Sequence, residues 1–223
     1  MSYATLYLCR PGSATWSVTT SRVLAADSDV AFYNGKLYLF NKKPSPHLYA
    51  FDLGEDGDGL LVVTHAEKRP APPFLSSSSP RSIYATFYYL VESRGRLLLI
   101  IRDLRECKTR GVAVFALHVS TRPHGWARME SLDGEVVFLS SNSALSISAS
   151  RYGGVRGDRI YFSQGRYLQN HTVEECSRLK NCRHLHCEVF DMKQRTAETL
   201  CTGASPDPQY WCGSTTWFVT FVG

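Results

Sequence analysis

The 223-residue chain lacks the long hydrophobic runs and short signatures that define several large protein classes. No stretch approaches the ~20 apolar residues of a transmembrane helix, so we expect no membrane association. Residues 1–10 have no basic segment followed by an apolar run, so we expect no secretory signal. There is no G-x-S-x-G elbow, no phosphate-binding glycine loop and no H-E-x-x-H motif. We therefore expect no enzymatic activity and no cofactor, and assign no catalytic residue.

Cysteines lack a regular spacing, and their number, seven, is odd. Reduced thiols in an intracellular protein, in the cytoplasm or the nucleus, are the simplest interpretation. Zinc sites usually contain C-x₂₋₄-C pairs, whereas the densest group here has cysteines separated by five and then four residues. On a strand, its adjacent histidine and cysteine would point to opposite faces, so we expect no metal site. That group consists of Cys176, Cys182, His184, His186 and Cys187.

Charge of one sign is not concentrated anywhere in the chain. The net charge is +5, and its 25 basic residues are scattered among 20 acidic ones. Because nucleic-acid-binding domains gather Lys and Arg on one face, we expect no nucleic-acid partner. Residues 56–59, with the sequence DGDG, resemble the start of a calcium loop. However, Leu60 and Leu61 stand where a ligand and a glycine are needed, which favours a simple hairpin turn.

The chain does contain a threefold repeat of a glycine-led turn, a charged residue and an apolar strand. The lead glycines are 60 and then 62 residues apart, and two further apolar strands come after each repeat. Multi-strand self-similarity of this kind is typical of propeller blades. The sequence therefore predicts an all-β, kelch-like β-propeller of about three to four blades. The lead segments are residues 35–40, 95–100 and 157–162.

The remaining segments fit one propeller domain over residues 1–223, with insertions at 66–82 and 165–186. Residues 5–20 resemble the two outer strands of a blade that lacks its inner strands. The apolar segment 217–221 is expected to complete that blade. Since closed propellers usually have ~4–8 blades, the pattern indicates either an unusually small propeller or an N-terminally truncated one, and we expect truncation. The second set of strands is predicted to run from residue 88 to 150, including a strand at 136–139.

Large aromatic and acidic residues receive structural interpretations. Trp16, Trp126 and Trp217 are expected to fill space between blades, and Trp211 to lie at the surface in a position suited to a contact. Asp52 and Asp191 end equivalent strands, and paired carboxylates occur in glycosidases. The equivalent position in the second set is Ala116, however, so we expect these aspartates to cap turns.

Several segments, in order, resemble a known plant family. YLVESRGRLL at 89–98, GWARMESL at 125–132, SISAS at 146–150 and GDRIYF at 157–162 carry most of the resemblance, which covers most of the chain. The family is the F-box-associated propeller of land plants, also called domain of unknown function 295. Its members typically place an F-box before a kelch-like propeller. The F-box docks on the adaptor of a cullin–RING ubiquitin ligase, and the propeller is thought to recruit the substrate.

The resemblance implies a protein-interaction module similar to the substrate-recruiting half of such a ligase subunit. No F-box precedes residue 5, so we expect the ligase adaptor as a partner only if an F-box is present elsewhere. The protein target and the partner-binding residues are unknown from the sequence. The long loops predicted at 66–82, 102–111 and 165–186 are the expected binding elements. Two alternatives stay open: a propeller enzyme or sugar-binding lectin with an axial site, and a non-functional gene remnant.

Overall fold

A computed structural model describes eight stretches of the chain: residues 4–21, 29–41, 46–72, 84–105, 108–118, 125–140, 143–163 and 184–204. Within them, fifteen strands form four sheets, and one 3₁₀ turn spans Ala149–Arg151. The predicted all-β class is confirmed. In the same stretches, no helix is long and apolar enough to cross a membrane.

The second and third sheets are antiparallel meanders of four strands each. In each, the strands pair in chain order, and we call the first strand innermost because the first strands of the two sheets contact each other. The lead segments at 35–40 and 95–100 form the second strand of each sheet, as the repeat predicts. The second sheet contains β3 (Asp29–Tyr33), β4 (Lys36–Asn41), β5 (His47–Glu55) and β6 (Leu61–Pro70); the third contains β7 (Tyr84–Ser93), β8 (Arg96–Arg105), β9 (Lys108–His118) and β10 (Gly125–Met129).

The fourth sheet has five strands, so the third lead segment, at 157–162, does not hold the second position that the other two lead segments hold. Its order is β12-β11-β13-β14-β15, with β11 parallel to β13. The strand predicted at 136–139 therefore belongs to this sheet and not to the preceding one. Side-chain alternation marks a strand but does not say which strand it pairs with. The five are β11 (Glu135–Leu139), β12 (Ala144–Ser148), β13 (Arg159–Ser163), β14 (His184–Asp191) and β15 (Thr196–Ala204).

The first sheet is the hairpin of β1 (Ala4–Leu8) and β2 (Ser17–Ser21), which confirms the two strands predicted at 5–20. Their turn is closed by the Ser13 amide, which donates to the Arg10 carbonyl at 3.0 Å. The hairpin packs against the second sheet, where Leu6 joins a small cluster around Leu39 and Phe51. Arg10 also pairs with Glu55 of β5. The sequence order of the sheets is thus also their order in space.

Two-residue turns join β3 to β4 and β7 to β8, and a third such turn precedes β11. Asn34, Arg94 and Asp133 have φ of 47°, 49° and 56°, and each precedes a glycine that also has positive φ. Two successive residues of positive φ make the type I′ turn, whose twist suits adjacent antiparallel strands. The repeat of a glycine-led turn is therefore confirmed at Gly35 and Gly95.

The third lead glycine, Gly157, serves a different purpose from the other two. A Cβ built on it would lie 2.7 Å from the Cα of Gly134, so the close approach of two backbones requires glycine here. The left-handed residue is instead its neighbour Asp158, with φ of 61°. The same sequence signal thus arises from two physical causes.

Apolar side chains form one core layer between each pair of adjacent sheets. Along β8, Leu97, Leu99 and Ile101 face the second sheet and pack with Tyr38, Phe40 and Leu48. The alternate residues Leu98 and Ile100 face the fourth sheet and pack with Ile160 and Phe162. A strand buried on both faces is apolar at successive positions, and this explains the run at 97–101. The radial layering is that of a β-propeller with about three to four blades.

Two predicted loops are shorter than expected. Strand β6 continues to Pro70, so residues 66–70 of the predicted insertion belong to the second sheet. Strands β8 and β9 pair as far as Arg105 and Lys108, so most of the predicted loop 102–111 is a long hairpin. Pairing with a neighbour keeps these polar stretches extended. Of the insertion at 165–186, residues 184–186 begin β14, and the rest lies outside the described residues.

Candidate partner-binding cleft between the third and fourth sheets

A polar cleft of about 680 Å³ opens where the innermost strands of the third and fourth sheets meet. One wall comes from the end of β7, with Glu92 and Arg94. The other comes from β12 and the 3₁₀ turn after it, with residues 146–148 and 150–152. Glu135, the first residue of β11, also lines the cleft. We call this concave, polar site, which is built from two blades, the interblade cleft.

The β7–β8 turn places Arg94 at the mouth of the interblade cleft. Its left-handed backbone directs the side chain towards the β10–β11 turn, where a guanidinium nitrogen donates to the Asp133 carbonyl at 2.6 Å. Arg96 pairs with the Asp133 carboxylate at 2.8 Å. The Glu92 carboxylate accepts from the Gly95 amide at 2.7 Å and so holds the same turn. These contacts hold the rim of the cleft in place, although the side chains of Glu92 and Arg94 are exposed.

Glu135 is the buried charge of the interblade cleft, with only 5% of its surface exposed. The Ser146 hydroxyl donates to Glu135 Oε2 at 3.4 Å, and Arg94 Nε stands 3.9 Å from Glu135 Oε1. Both contacts are long for their type. A carboxylate removed from water normally requires close donors or a close cation. The cleft therefore presents an ionisable group whose hydrogen-bonding capacity is only partly used by the described residues.

Hydroxyl groups form the wall contributed by β12. Ser146 shares a hydrogen bond of 2.8 Å with Ser93 of β7, which joins the two blades at the base of the cleft. Ser148 and Ser150 share one of 3.0 Å. Hydroxyls both donate and accept, so this wall can serve either kind of ligand group. Arg151 and Tyr152, which follow on the chain, also line the cleft.

The turn beneath the cleft is organised around Asp158. One of its carboxylate oxygens accepts from the amides of Leu132 and Gly134 at 2.8 and 3.3 Å, and from the Ser131 hydroxyl. Lys193 pairs with the other oxygen at 3.0 Å. Burial raises the pKa of Asp158, but these donors outweigh burial and hold the pKa below its ordinary value. The Asp158 amide also donates to the Glu135 carbonyl, so this turn fixes the backbone that carries Glu135.

A buried ion pair lies elsewhere in the same interface and joins β8 to β14. Arg102 donates to Glu188 at 2.5 Å, and both side chains are almost fully buried. Thr109 contacts both partners: its hydroxyl accepts from Arg102 Nε at 2.7 Å, and its amide donates to Glu188 at 3.2 Å. The guanidinium also lies over the ring of Phe162, 4.2 Å from its centroid. This group is fully engaged and fixes how the third and fourth sheets meet.

The residues singled out in the sequence as potential metal ligands are not brought together by what the structure describes. Cys187 lies on β14 and is half-buried, with Cys201 opposite it in the register of β15. Cys176 and Cys182 lie outside the described residues, and so do Trp211 and Trp217. In the described stretches, no group of three or more His, Cys, Asp or Glu residues is placed to hold a metal ion.

The acidic residues considered in the sequence have structural partners. Asp56 caps the hairpin turn predicted at 56–59 by accepting from the amides of Asp58 and Leu60. Asp191 caps the next turn by accepting from the amides of Lys193 and Gln194, as expected. The same expectation is wrong for Asp52, which pairs with Lys36 of β4 at 2.5 Å. The hydrogen bond from Lys36 is the main cause of the lowered pKa of Asp52.

The tryptophan predictions divide in the same way. Trp126 of β10 is half-buried against the core layer between the second and third sheets, as expected. Trp16 is 60% exposed, so its expected burial is wrong. It lies beside β2 with Tyr7 and Val18, which face each other in the hairpin register and are also exposed. In the part of the chain that the structure describes, no sheet packs on that side.

Sequence reasoning missed the residues that form the interblade cleft. Ser146 and Ser148 appeared only as part of a resemblance, and Glu135 was not noticed. A signal existed, because Glu135 opens a strand whose other residues are apolar, as Arg102 ends the apolar run of β8. A lone charge within a buried strand indicates either a partner or a site. Choosing between a partner and a site requires knowing which residues of the neighbouring sheet face the charge, and the sequence does not show this.

Comparison with known proteins gives one family. A family model described as the KIB1-4 beta-propeller matches residues 1–196. A search of curated proteins found no match. A search of solved structures also found none.

Proposed function

The chain belongs to the KIB1-4 β-propeller family, and from this membership and the geometry of the interblade cleft we propose that it is a protein-binding module that takes its partner at the cleft. The observation that carries the proposal is a concave site with a buried carboxylate and a hydroxyl wall. Rigid strands hold the site, and the residues at its rim come from turns. Propellers commonly present partner contacts in this way, on connections between strands.

We further propose that the captured protein is a substrate for ubiquitination, in keeping with the resemblance to F-box-associated propellers. The propeller then supplies recognition, and an F-box supplies the contact with the ligase adaptor. On this view the 223-residue chain, tested alone, does not bind purified adaptor. Saturable binding of the adaptor to this chain would contradict that division of roles.

The enzyme or lectin alternative requires available carboxylates or histidines on the innermost strands. Two carboxylates there are committed to backbone groups: Asp29 of β3 accepts from the Leu90 amide at 2.9 Å, and Glu92 of β7 from the Gly95 amide. These contacts link turns and neighbouring sheets and favour a structural use. They support a binding role over catalysis for this part of the molecule.

Site-specific photo-crosslinking tests the proposal. A photoreactive amino acid at position 150, exposed in the cleft wall, is expected to capture a discrete protein from an extract of the source organism. The matched control places the same amino acid at position 58, in the exposed β5–β6 turn outside the cleft. The identified partner is then purified and titrated against the unmodified chain.

Loss of binding on filling the cleft completes the test. Ser148→Arg puts a long side chain into the wall and is expected to weaken binding of the purified partner at least tenfold. Asp58→Arg adds the same side chain in the control turn and should leave the affinity unchanged. Equal capture at positions 150 and 58, or equal affinity of both variants, would refute the cleft as the binding site.

A further inference from the structure

We infer that the interblade cleft binds a guanidinium group, presented by the partner as an arginine side chain. This inference rests on the proposed function, because it states what the partner places in the cleft. It starts from Glu135, the buried carboxylate that lines the cleft. An ionised carboxylate accepts up to about four hydrogen bonds. Within the described structure, its side chain receives one hydroxyl at 3.4 Å and one guanidinium nitrogen at 3.9 Å.

Arg94, the cation nearest to Glu135, does not already fill the role of the proposed guanidinium ligand. Arg94 directs its short hydrogen bond to the Asp133 carbonyl, 2.6 Å away, and its side chain is 54% exposed. Its Nε lies at the outer limit of an ion pair with Glu135. A guanidinium entering from the cleft could approach Glu135 at normal hydrogen-bonding distance while Arg94 keeps its bond to the turn.

Charge balance alone does not choose between a cationic and an anionic ligand, since two arginines and two glutamates line the cleft. Burial decides the matter. Arg94 and Arg151 are exposed, so water satisfies their donors without a ligand. Glu135 is buried, and a buried charge without close donors carries the larger cost. An anion would also be placed beside Glu135 and Glu92, whereas a cation relieves the buried carboxylate.

The lining favours guanidinium over ammonium. Guanidinium has five donors in a planar fork, which pairs with a carboxylate through two parallel bonds and leaves donors for further acceptors. The hydroxyl oxygens of Ser146, Ser148 and Ser150 stand along one wall and can accept these bonds.

The test uses Nα-acetyl-arginine methylamide as the probe and isotope-labelled protein observed by NMR. We expect saturable shifts, with a millimolar Kd, for the amides of Ser146, Ile147 and Ser148. The citrulline analogue keeps the shape and loses the charge, and it should produce no saturable shift. Glu135→Gln keeps the side-chain volume and should weaken binding of the arginine probe at least tenfold. Glu130→Gln, at an exposed glutamate of the β10–β11 connection, is the matched control and should bind the probe like the unmodified chain.

A second variant protects the test against misfolding of the first. If Glu135→Gln loses NMR dispersion, Ser148→Arg supplies a competing guanidinium and should abolish the shifts. The inference is overturned if citrulline binds as well as arginine, if the shifts map outside the cleft, or if both folded variants bind the probe normally. Tighter binding of acetyl-phosphoserine methylamide would also overturn it and assign the cleft to anions.

The two experiments distinguish an error in the guanidinium assignment from an error in the proposed protein-binding function. An arginine probe that does not bind, together with cleft-dependent crosslinking from position 150, overturns only the guanidinium assignment. Conversely, probe binding in the cleft without any crosslinked protein supports the ligand chemistry and leaves the protein-binding role unsupported.

Discussion

The third sheet and the first sheet both carry aromatic and aliphatic side chains but differ in what covers them. Both faces of the third sheet are buried: Leu99 of β8 faces the second sheet and Leu98 faces the fourth. The first sheet is covered on one face, by the second sheet, and exposes Trp16 on the other. Position in the series of sheets therefore decides which aromatic side chains become core. The comparison predicts where substitutions are costly and where they alter association instead.

The largest loss of stability is expected at the buried ion pair between the third and fourth sheets. Arg102→Met removes the cation and leaves Glu188 buried without it, which should lower the free energy of unfolding by about 3–5 kcal/mol. Arg102→Met combined with Glu188→Gln keeps an acceptor for the Thr109 amide and should recover most of that loss. Denaturant unfolding of the single and double variants measures both values. A single variant within about 1 kcal/mol of the unmodified chain would show that the pair is not needed.

A pair of apolar truncations tests the comparison directly. Leu99→Ala opens a cavity in the layer between the second and third sheets and should cost about 2–5 kcal/mol. Val18→Ala removes an apolar side chain from the exposed face of the first sheet and should change stability by less than about 0.5 kcal/mol. The two values come from the same denaturant experiment. Similar costs would mean that the exposed face of the hairpin is in fact covered.

Asp158 tests the connection between the third and fourth sheets through pH. Because the folded pKa lies below the unfolded value of about 3.9, the ionised carboxylate stabilises the fold above that pH. This contribution is lost as the pH falls through the folded pKa. Asp158→Asn tolerates positive φ and should cost about 1–3 kcal/mol at neutral pH.

The pH profile separates this charge from a general acid effect. As the pH falls below the ordinary aspartate pKa of about 3.9, stability of the unmodified chain should fall more steeply than that of Asp158→Asn. Asp58→Asn, in the exposed β5–β6 turn, is the matched control and should change the free energy of unfolding at neutral pH by less than about 0.5 kcal/mol. Parallel profiles for Asp158→Asn and the unmodified chain would contradict the role given to the Lys193 and Leu132 contacts.

Local patterns predicted the strands and hairpin turns well, and pairing across the chain poorly. The glycine-led repeat and the alternating apolar residues identified β4, β8 and β13 as strands because both depend on near neighbours. The parallel pairing of β11 with β13 was missed, since no local signal specifies a strand's partner. The exposure of Trp16 and the cleft at Glu135 were also missed, because both depend on which sheet faces these residues, and no local signal specifies that.

The smallest change in stability, with the clearest change in behaviour, is expected at Trp16. Its face carries Tyr7 and Val18 as well, and contiguous exposed apolar residues favour association. We expect the unmodified chain to associate with increasing concentration, as seen by size-exclusion chromatography with light scattering. Trp16→Lys should reduce association while shifting the free energy of unfolding by no more than about 0.5 kcal/mol. Leu200→Lys, at an exposed position on β15, is the matched control and should leave association unchanged. A single 25.0 kDa species at every concentration would show that this face does not attract a second copy, and that its exposure has no consequence in solution.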